Sequence, residues 1–234
     1  MDTFSQHFEE AIPHLRKQIL EKFTSEQSHA GFRSIWEHFE DVINPIIIAF
    51  LIKPPLSIPR KDIIIAKSKS VYPDLKVSFK GKVFAIDVKS GEDSRNPWYD
   101  MGRLDTFEEK HLEKYSKEYY VTVRWKGRDP SIVLDVFIEP MYYSVGYREE
   151  YNGVLYRPYD GKIRPKSWED FESGYSHWNN IDEFLDGLNN AKVHRRTHYI
   201  LLWYQEMNNT QRSFIRDSIN HIDKGKQMPL FSND

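Results

Sequence analysis

The sequence predicts an α/β or α+β fold built on a mixed central β-sheet with helices on both faces. Three observations carry the prediction. Apolar residues recur at helical spacing from Phe4 to Phe50. Short apolar runs of strand length, punctuated by Gly and Pro, fill the stretch from Ile63 to Ile138. Helical periodicity then returns from Ile181. Helices, then a meander of strands with one helix inserted, then helices again describe a layered domain.

The elements follow in order. Phe8, Ile12, Leu15 and Ile19 mark a first helix over Phe4–Phe23, with Pro13 expected near a boundary. Phe32, Ile35, Trp36, Phe39, Val42, Ile43, Ile46 and Ile47 mark a second over Phe32–Phe50, which Asn44-Pro45 would kink. Pro54, Pro55 and Pro59 break the pattern, and Ile63-Ile64-Ile65 reads as a short buried strand. Lys76–Lys80 and Val83–Lys89 read as a hairpin with a tight turn at Gly81-Lys82. A charged helix is expected over Arg103–Lys117, then strands over Tyr119–Trp125 and Ser131–Ile138. The Tyr-, Gly- and Pro-rich segment from Pro140 to Trp178 offers one strand, Gly153–Tyr156. Ile181–Leu188 reads as a helix capped by Asn180 with Glu183 three residues on, and His198–Met207 and Gln211–Ile222 continue the helical part.

At 234 residues the chain suits a single domain, 1–234, with a loop-rich region around 140–180 and a helical C-terminal part over 180–223. Cysteine is absent, which excludes disulfides and thiolate zinc sites and fits a reducing cytoplasm. No apolar run reaches membrane-span length, and the polar N-terminus carries no secretory pattern, so a cytoplasmic protein without a membrane partner is expected. The net charge of −2 does not advertise a polyanionic partner. Local charge does: Arg60, Lys61, Lys67, Lys69, Lys76, Lys80 and Lys82 cluster, as do Arg157, Lys162, Arg164 and Lys166, and again Lys192, His194, Arg195, Arg196 and His198.

The chemistry concentrates in YPDLKVSFKGKVFAIDVKS, from Tyr72 to Ser90. Side chains alternate along a strand, so Phe84, Ile86 and Val88 share one face, and Asp87 and Lys89 share the other with Val83 and Ala85. A hairpin returning at Lys80–Lys82 brings Asp74 back beside Asp87. Two carboxylates suit a hard divalent cation that keeps several waters, and an ammonium beside them offsets charge developing on a phosphate. A surface ion pair next to an ordinary Pro-Asp turn is the plainer alternative for an isolated D-x-K.

At these residues the chain resembles the PD-(D/E)XK nuclease superfamily, and within it the EcoRV-type type II restriction endonucleases. Only the hairpin motif is specific. Ser34–Phe39 running into Ile43–Ile47 resembles the family's early helix, Met101–Phe107 a later Gly-containing turn, Val136–Ile138 a later strand and Ile181–Asp186 a late helix. The resemblance implies a restriction-endonuclease-like core. It implies Asp74 and Asp87 as metal-binding carboxylates, the Val88 carbonyl as a further ligand, Lys89 as the catalytic lysine and Glu37 as an accessory acid that orients water or a second metal. An exposed helical Glu is the alternative for Glu37. The cofactor implied is Mg2+. Lys67, Lys69 and Ser70 fall where the family carries a minor-groove loop, and Arg157, Lys162, Arg164 and Lys166 fall where it carries a major-groove loop, which implies a DNA-recognition region around 140–180. Both loops differ from the family in sequence, which leaves phosphate contact expected at the first and phosphate or guanine contact at the second.

The expectation is a Mg2+-dependent, homodimeric type II restriction endonuclease acting on double-stranded DNA at a short palindrome and leaving blunt ends. Two alternatives stay open: a repair or nicking nuclease of the same superfamily, and a non-catalytic DNA-binding protein with structural carboxylates. No further His or acid falls at metal-ligand spacing from His194 and His198, which read as surface or DNA-facing groups.

Overall fold

A computed structural model describes residues 2–26, 35–67, 71–93, 96–127 and 132–223, with side chains at all of these except 26, 35–38 and 218–223. The chain gathers into two compact units, 1–191 and 192–234.

The first unit carries helices α1 (Thr3–Glu26) and α2 (Ile35–Leu51) and a five-stranded sheet. Its strands are β1 (Ile63–Ile65), β2 (Leu75–Phe79), β3 (Lys82–Glu92), β4 (Lys117–Lys126) and β5 (Ile132–Pro140), in spatial order β1-β2-β3-β4-β5. β3 and β4 are parallel; every other pair is antiparallel. The expected α/β architecture, a mixed central sheet flanked by helices, is therefore what the chain forms.

One face of the sheet is closed by α1 and α2. Phe4, Phe8, Leu15 and Ile19 of α1 and Ile43, Ile47 and Leu51 of α2 are buried in one cluster with Val77, Phe84, Ile86, Tyr119 and Val121. Phe4 stacks on Phe84, with ring centroids 4.0 Å apart, beneath the strand that carries Asp87 and Lys89. Burial of one such ring contributes roughly 1.5–3 kcal/mol. The opposite face is covered by a second cluster that includes Met101, Phe107, Tyr120, Ile163 and Trp178. It also includes Phe184, Leu188 and Ala191 from the start of α4 (Ile181–Glu206).

Several local expectations change. Pro13 lies inside α1 and does not bound it, whereas Pro45 lies inside α2, where a kink was expected. The hairpin turn is Lys80-Gly81, one residue earlier than expected. Both residues have positive φ (48° and 76°), the combination a two-residue type I′ turn requires. The helix expected over Arg103–Lys117 is reduced to a 3-10 turn (Leu104–Thr106) and a π-turn (Glu108–Leu112). Tertiary demands override the helical pattern there. Arg103 is extended and bridges to Lys162, His111 is drawn into the core, and the Ser116 N–H hooks onto the Val83 carbonyl at 2.7 Å before β4 begins.

The segment from Pro140 onward folds through short pairings. β6 (Tyr147–Arg148) pairs with β7 (Gly153–Val154), and helix α3 (Trp168–Ser173), absent from the sequence reading, starts at a Ser167/Asp170 capping box. Asn180 caps α4 as expected: its Oδ1 accepts the Glu183 N–H at 2.9 Å.

The second unit holds the remainder of α4 from Lys192 and helix α5 (Asn209–Asp223). Arg212 donates to the Tyr204 and Gln205 carbonyls at 3.1 and 2.7 Å, satisfying the end of α4. Among the described residues no helix is long and apolar enough to cross a membrane.

Candidate active site

The hairpin positions the site. Leu75 pairs with Ile86, so Asp74, one residue before β2 begins, lies beside Asp87. The two residues clasp each other where the strand ladder ends. The Asp74 N–H donates to Asp87 Oδ1 at 3.2 Å, and the Val88 N–H donates to Asp74 Oδ2 at 2.7 Å. The Asp74 carbonyl accepts the Ala66 N–H at 2.9 Å, which ties the same residue to the end of β1. Asp87 Oδ2 faces the Lys89 ammonium in an ion pair. The sequence-predicted trio Asp74, Asp87 and Lys89 is thus brought together, with the Val88 backbone between them.

The site is buried and carries an excess of acid. Asp74 and Asp87 are almost fully buried. Burial first, and then repulsion from Asp87, push the Asp74 carboxyl up to about 7; the Val88 N–H and Lys89 oppose that rise and Glu40 adds to it. Burial works against the Lys89 ammonium. Asp87 above all, and then Asp74 and Glu40, outweigh it, so its pKa is raised and it stays protonated.

Glu40 is the acid that the sequence reading does not single out. It is half-buried on α2, one helical turn beyond Glu37, and its charge reaches both Asp74 and Lys89. Spacing alone carries the signal, since residues three apart share a helix face, but choosing between Glu37 and Glu40 needs the helix's rotation. The Glu37 side chain lies outside the described residues.

A second layer supports this hairpin from β4. Glu118, Tyr120 and Thr122 alternate onto the Asp87 face, with Asp87 paired to Tyr120 and Lys89 to Thr122 across the parallel ladder. Tyr72, two residues before Asp74, donates its hydroxyl to Glu118 Oε2, and His111 Nδ1 bonds the same oxygen at 2.9 Å. Phe107 stacks on His111 at 4.3 Å. Burial, followed by Tyr120, Glu118 and Asp87, raises the Tyr72 hydroxyl pKa, so it remains a donor. Tyr120 donates to the Met101 carbonyl at 3.3 Å, and the Lys89 Nζ lies 5.5 Å from the Tyr120 ring centroid. Tyr99 bonds Thr122 at 2.9 Å. The hydroxyls and the imidazole hold the segment leading into Asp74 against the sheet.

Two carboxylates and a backbone carbonyl suit Mg2+, which takes few protein ligands and keeps waters. The acidic excess at Asp74, Asp87 and Glu40 against the one ammonium of Lys89 is the electrostatic condition a divalent cation relieves. Among the described residues no cluster of three or more His, Cys, Asp or Glu gathers at metal-binding spacing.

The expected DNA-facing residues divide. Lys67 is exposed. Lys69 and Ser70 lie outside the described residues. Arg164 and Lys166 turn inward. Arg164 is 2% exposed, bonds Asp100 Oδ1 at 2.7 Å and donates to the Trp98 and Tyr99 carbonyls. Lys166 is 5% exposed and bonds Glu139 Oε2 at 2.9 Å and the Tyr175 carbonyl at 2.8 Å. Buried cations need such partners; the fold supplies them to Lys166 and, through Nη1, to Arg164. Lys162 pairs with Asp100 and stays partly exposed, and Arg157 grips Asp160, holding that carboxyl well below its usual range. The basic run therefore reads as a loop stapled by its own ion pairs.

No protein-family model matches the chain, and no curated protein matches it in sequence. Among solved structures the chain is similar to the NlaIV restriction endonuclease, with a TM-score of 0.47 and 14% identity over 75% of this chain and 78% of that one. That likeness is distant, and the functional reading rests on the site's own residues.

Proposed function

We propose that the chain is a Mg2+-dependent deoxyribonuclease that hydrolyses phosphodiester bonds in double-stranded DNA, acting as a homodimeric type II restriction endonuclease at a short palindrome and leaving blunt ends. The observation that carries the reading is the buried Asp74–Asp87 clasp with Lys89 on the same strand face. Asp74, Asp87 and the Val88 carbonyl would hold the cation, Glu40 would add negative field, and Glu37 would be the accessory acid that orients water or a second metal. When bound, Mg2+ supplies Lewis acidity toward a phosphoryl oxygen and lowers the pKa of water. The chain's own part is positioning and charge. Lys89, kept protonated by its acidic neighbours, donates toward the non-bridging oxygens of the scissile phosphate as negative charge grows on them. Asp74, with a carboxyl pushed up to about 7, would have to be ionised to serve as a ligand. Exposed Lys67 and partly exposed Lys162 are the cations of the two expected loops, among the described residues, best placed to meet phosphate.

The test is direct. Plasmid and genomic DNA are incubated with purified protein in Mg2+ or in EDTA, and the product ends are sequenced. The reading expects metal-dependent ends that share one palindrome with flush termini. Random ends would favour a repair or nicking nuclease, and intact DNA under all conditions would leave only the DNA-binding alternative.

A further inference from the structure

With Arg157 and Arg164 paired internally, the 157–164 hairpin presents another group beside Lys162. The Arg157 N–H donates to the Lys162 carbonyl and the Gly161 N–H to the Arg157 carbonyl, both at 2.8 Å, and Tyr156 bridges to Ile163. Arg157 closes the turn on Asp160. Tyr159, at the tip, is 72% exposed, with the Arg157 guanidinium 4.5 Å from its ring centroid. Trp98 repeats the arrangement: it is 56% exposed, with the Arg164 guanidinium 4.2 Å from its centroid. Both guanidinium groups converge on Asp100 Oδ1, Arg164 at 2.7 Å and Arg157 at 4.0 Å. Trp98 also lines a cleft of about 560 Å³ with Tyr147, Tyr175 and His177.

We propose that Trp98 and Tyr159, each fixed by a guanidinium anchored on Asp100, form a stacking platform for unpaired nucleobases of DNA. A solvent-exposed ring loses little entropy on binding when its backing is already rigid, and every base offers a π-face to stack on. The inference rests on the nuclease reading only for the ligand being DNA, and concerns bases displaced from the duplex. It adds aromatic contact in a region where the sequence expectation named only basic side chains.

Fluorescence anisotropy in EDTA tests it, with a labelled oligothymidine and an abasic-spacer strand of equal length as probes. The expected result is a preference of about tenfold for the base-bearing strand, in line with the usual worth of one stacked base. Trp98→Ala and Tyr159→Ala should each remove most of that preference, while Tyr159→Phe and Trp98→Tyr keep it. The salt dependence of binding should be unchanged in all four, because no phosphate contact is lost. Equal binding of the two probes by the unaltered protein, or a preference that survives both alanine substitutions, overturns the proposal. Cleavage is read separately: a base preference without Mg2+-dependent cleavage retains the platform and removes the nuclease reading, and cleavage without a preference does the reverse.

Discussion

Replacing Asp74 by Asn should stabilise the metal-free protein while abolishing the proposed DNA cleavage. The Asp74 carboxyl is pushed from 3.8 to about 7 by burial and by Asp87. A carboxyl whose folded pKa lies above its unfolded value stabilises the fold at low pH, and that contribution is lost as pH rises from the unfolded pKa through the folded one. The loss amounts to about 1.4 kcal/mol per pH unit, or at most about 4 kcal/mol between about pH 4 and pH 8. Asn keeps an acceptor for the Val88 N–H but gives up attraction to Lys89, so roughly 2 kcal/mol of relief is expected at about pH 8. For a chain of this size that is a rise in Tm of about 4–8 °C. Thermal unfolding in EDTA across this pH range measures it: the gap between variant and unaltered protein should widen with pH and nearly vanish at the acid end. Mg2+ should stabilise the unaltered protein and leave the variant unmoved. A variant less stable than the unaltered protein at the alkaline end would refute the claim that Asp74 is held in an acidic, repulsive site.

Other outcomes follow from the same geometry. A cation held at this site would compete with a proton on Asp74, so Mn2+ affinity measured by calorimetry should fall about fivefold from about pH 7 to pH 6 and level off above about pH 8. Glu40→Gln should weaken Mn2+ binding several-fold while leaving Tm in EDTA nearly unchanged, since it removes negative field from the site and keeps the side chain's size. Glu118→Ala leaves buried His111 and the Tyr72 hydroxyl without their shared acceptor, and urea unfolding should show a loss of about 3 kcal/mol.

The hairpin and its trio were legible because their determinants are local. Alternation along β3 assigns Asp87 and Lys89 to one face, and a two-residue turn sets the register that returns Asp74 to them. The groups around it were not legible, because their partners are distant in sequence. Arg164 meets Asp100 and Lys166 meets Glu139, and no local pattern distinguishes these buried cations from solvated ones. The same holds for Glu118, which acquires His111 and Tyr72 only once β4 lies parallel to β3. The helix expected over 103–117 failed for a related reason: His111 is more stable bonded to Glu118 in the core than on a regular helical surface. Glu40 illustrates the remaining limit, since the acidic spacing in α2 was visible and its rotation toward the site was not.

Lys89→Ala tests the central claim most directly. The account predicts that the purified variant keeps its fold and binds duplex DNA in Ca2+, yet cleaves plasmid in Mg2+ at least about a hundredfold more slowly than the unaltered protein, as loss of a charge-stabilising donor at the reacting phosphate requires. Cleavage by the variant at the unaltered rate would contradict it and remove Asp74, Asp87 and Lys89 as the reacting site.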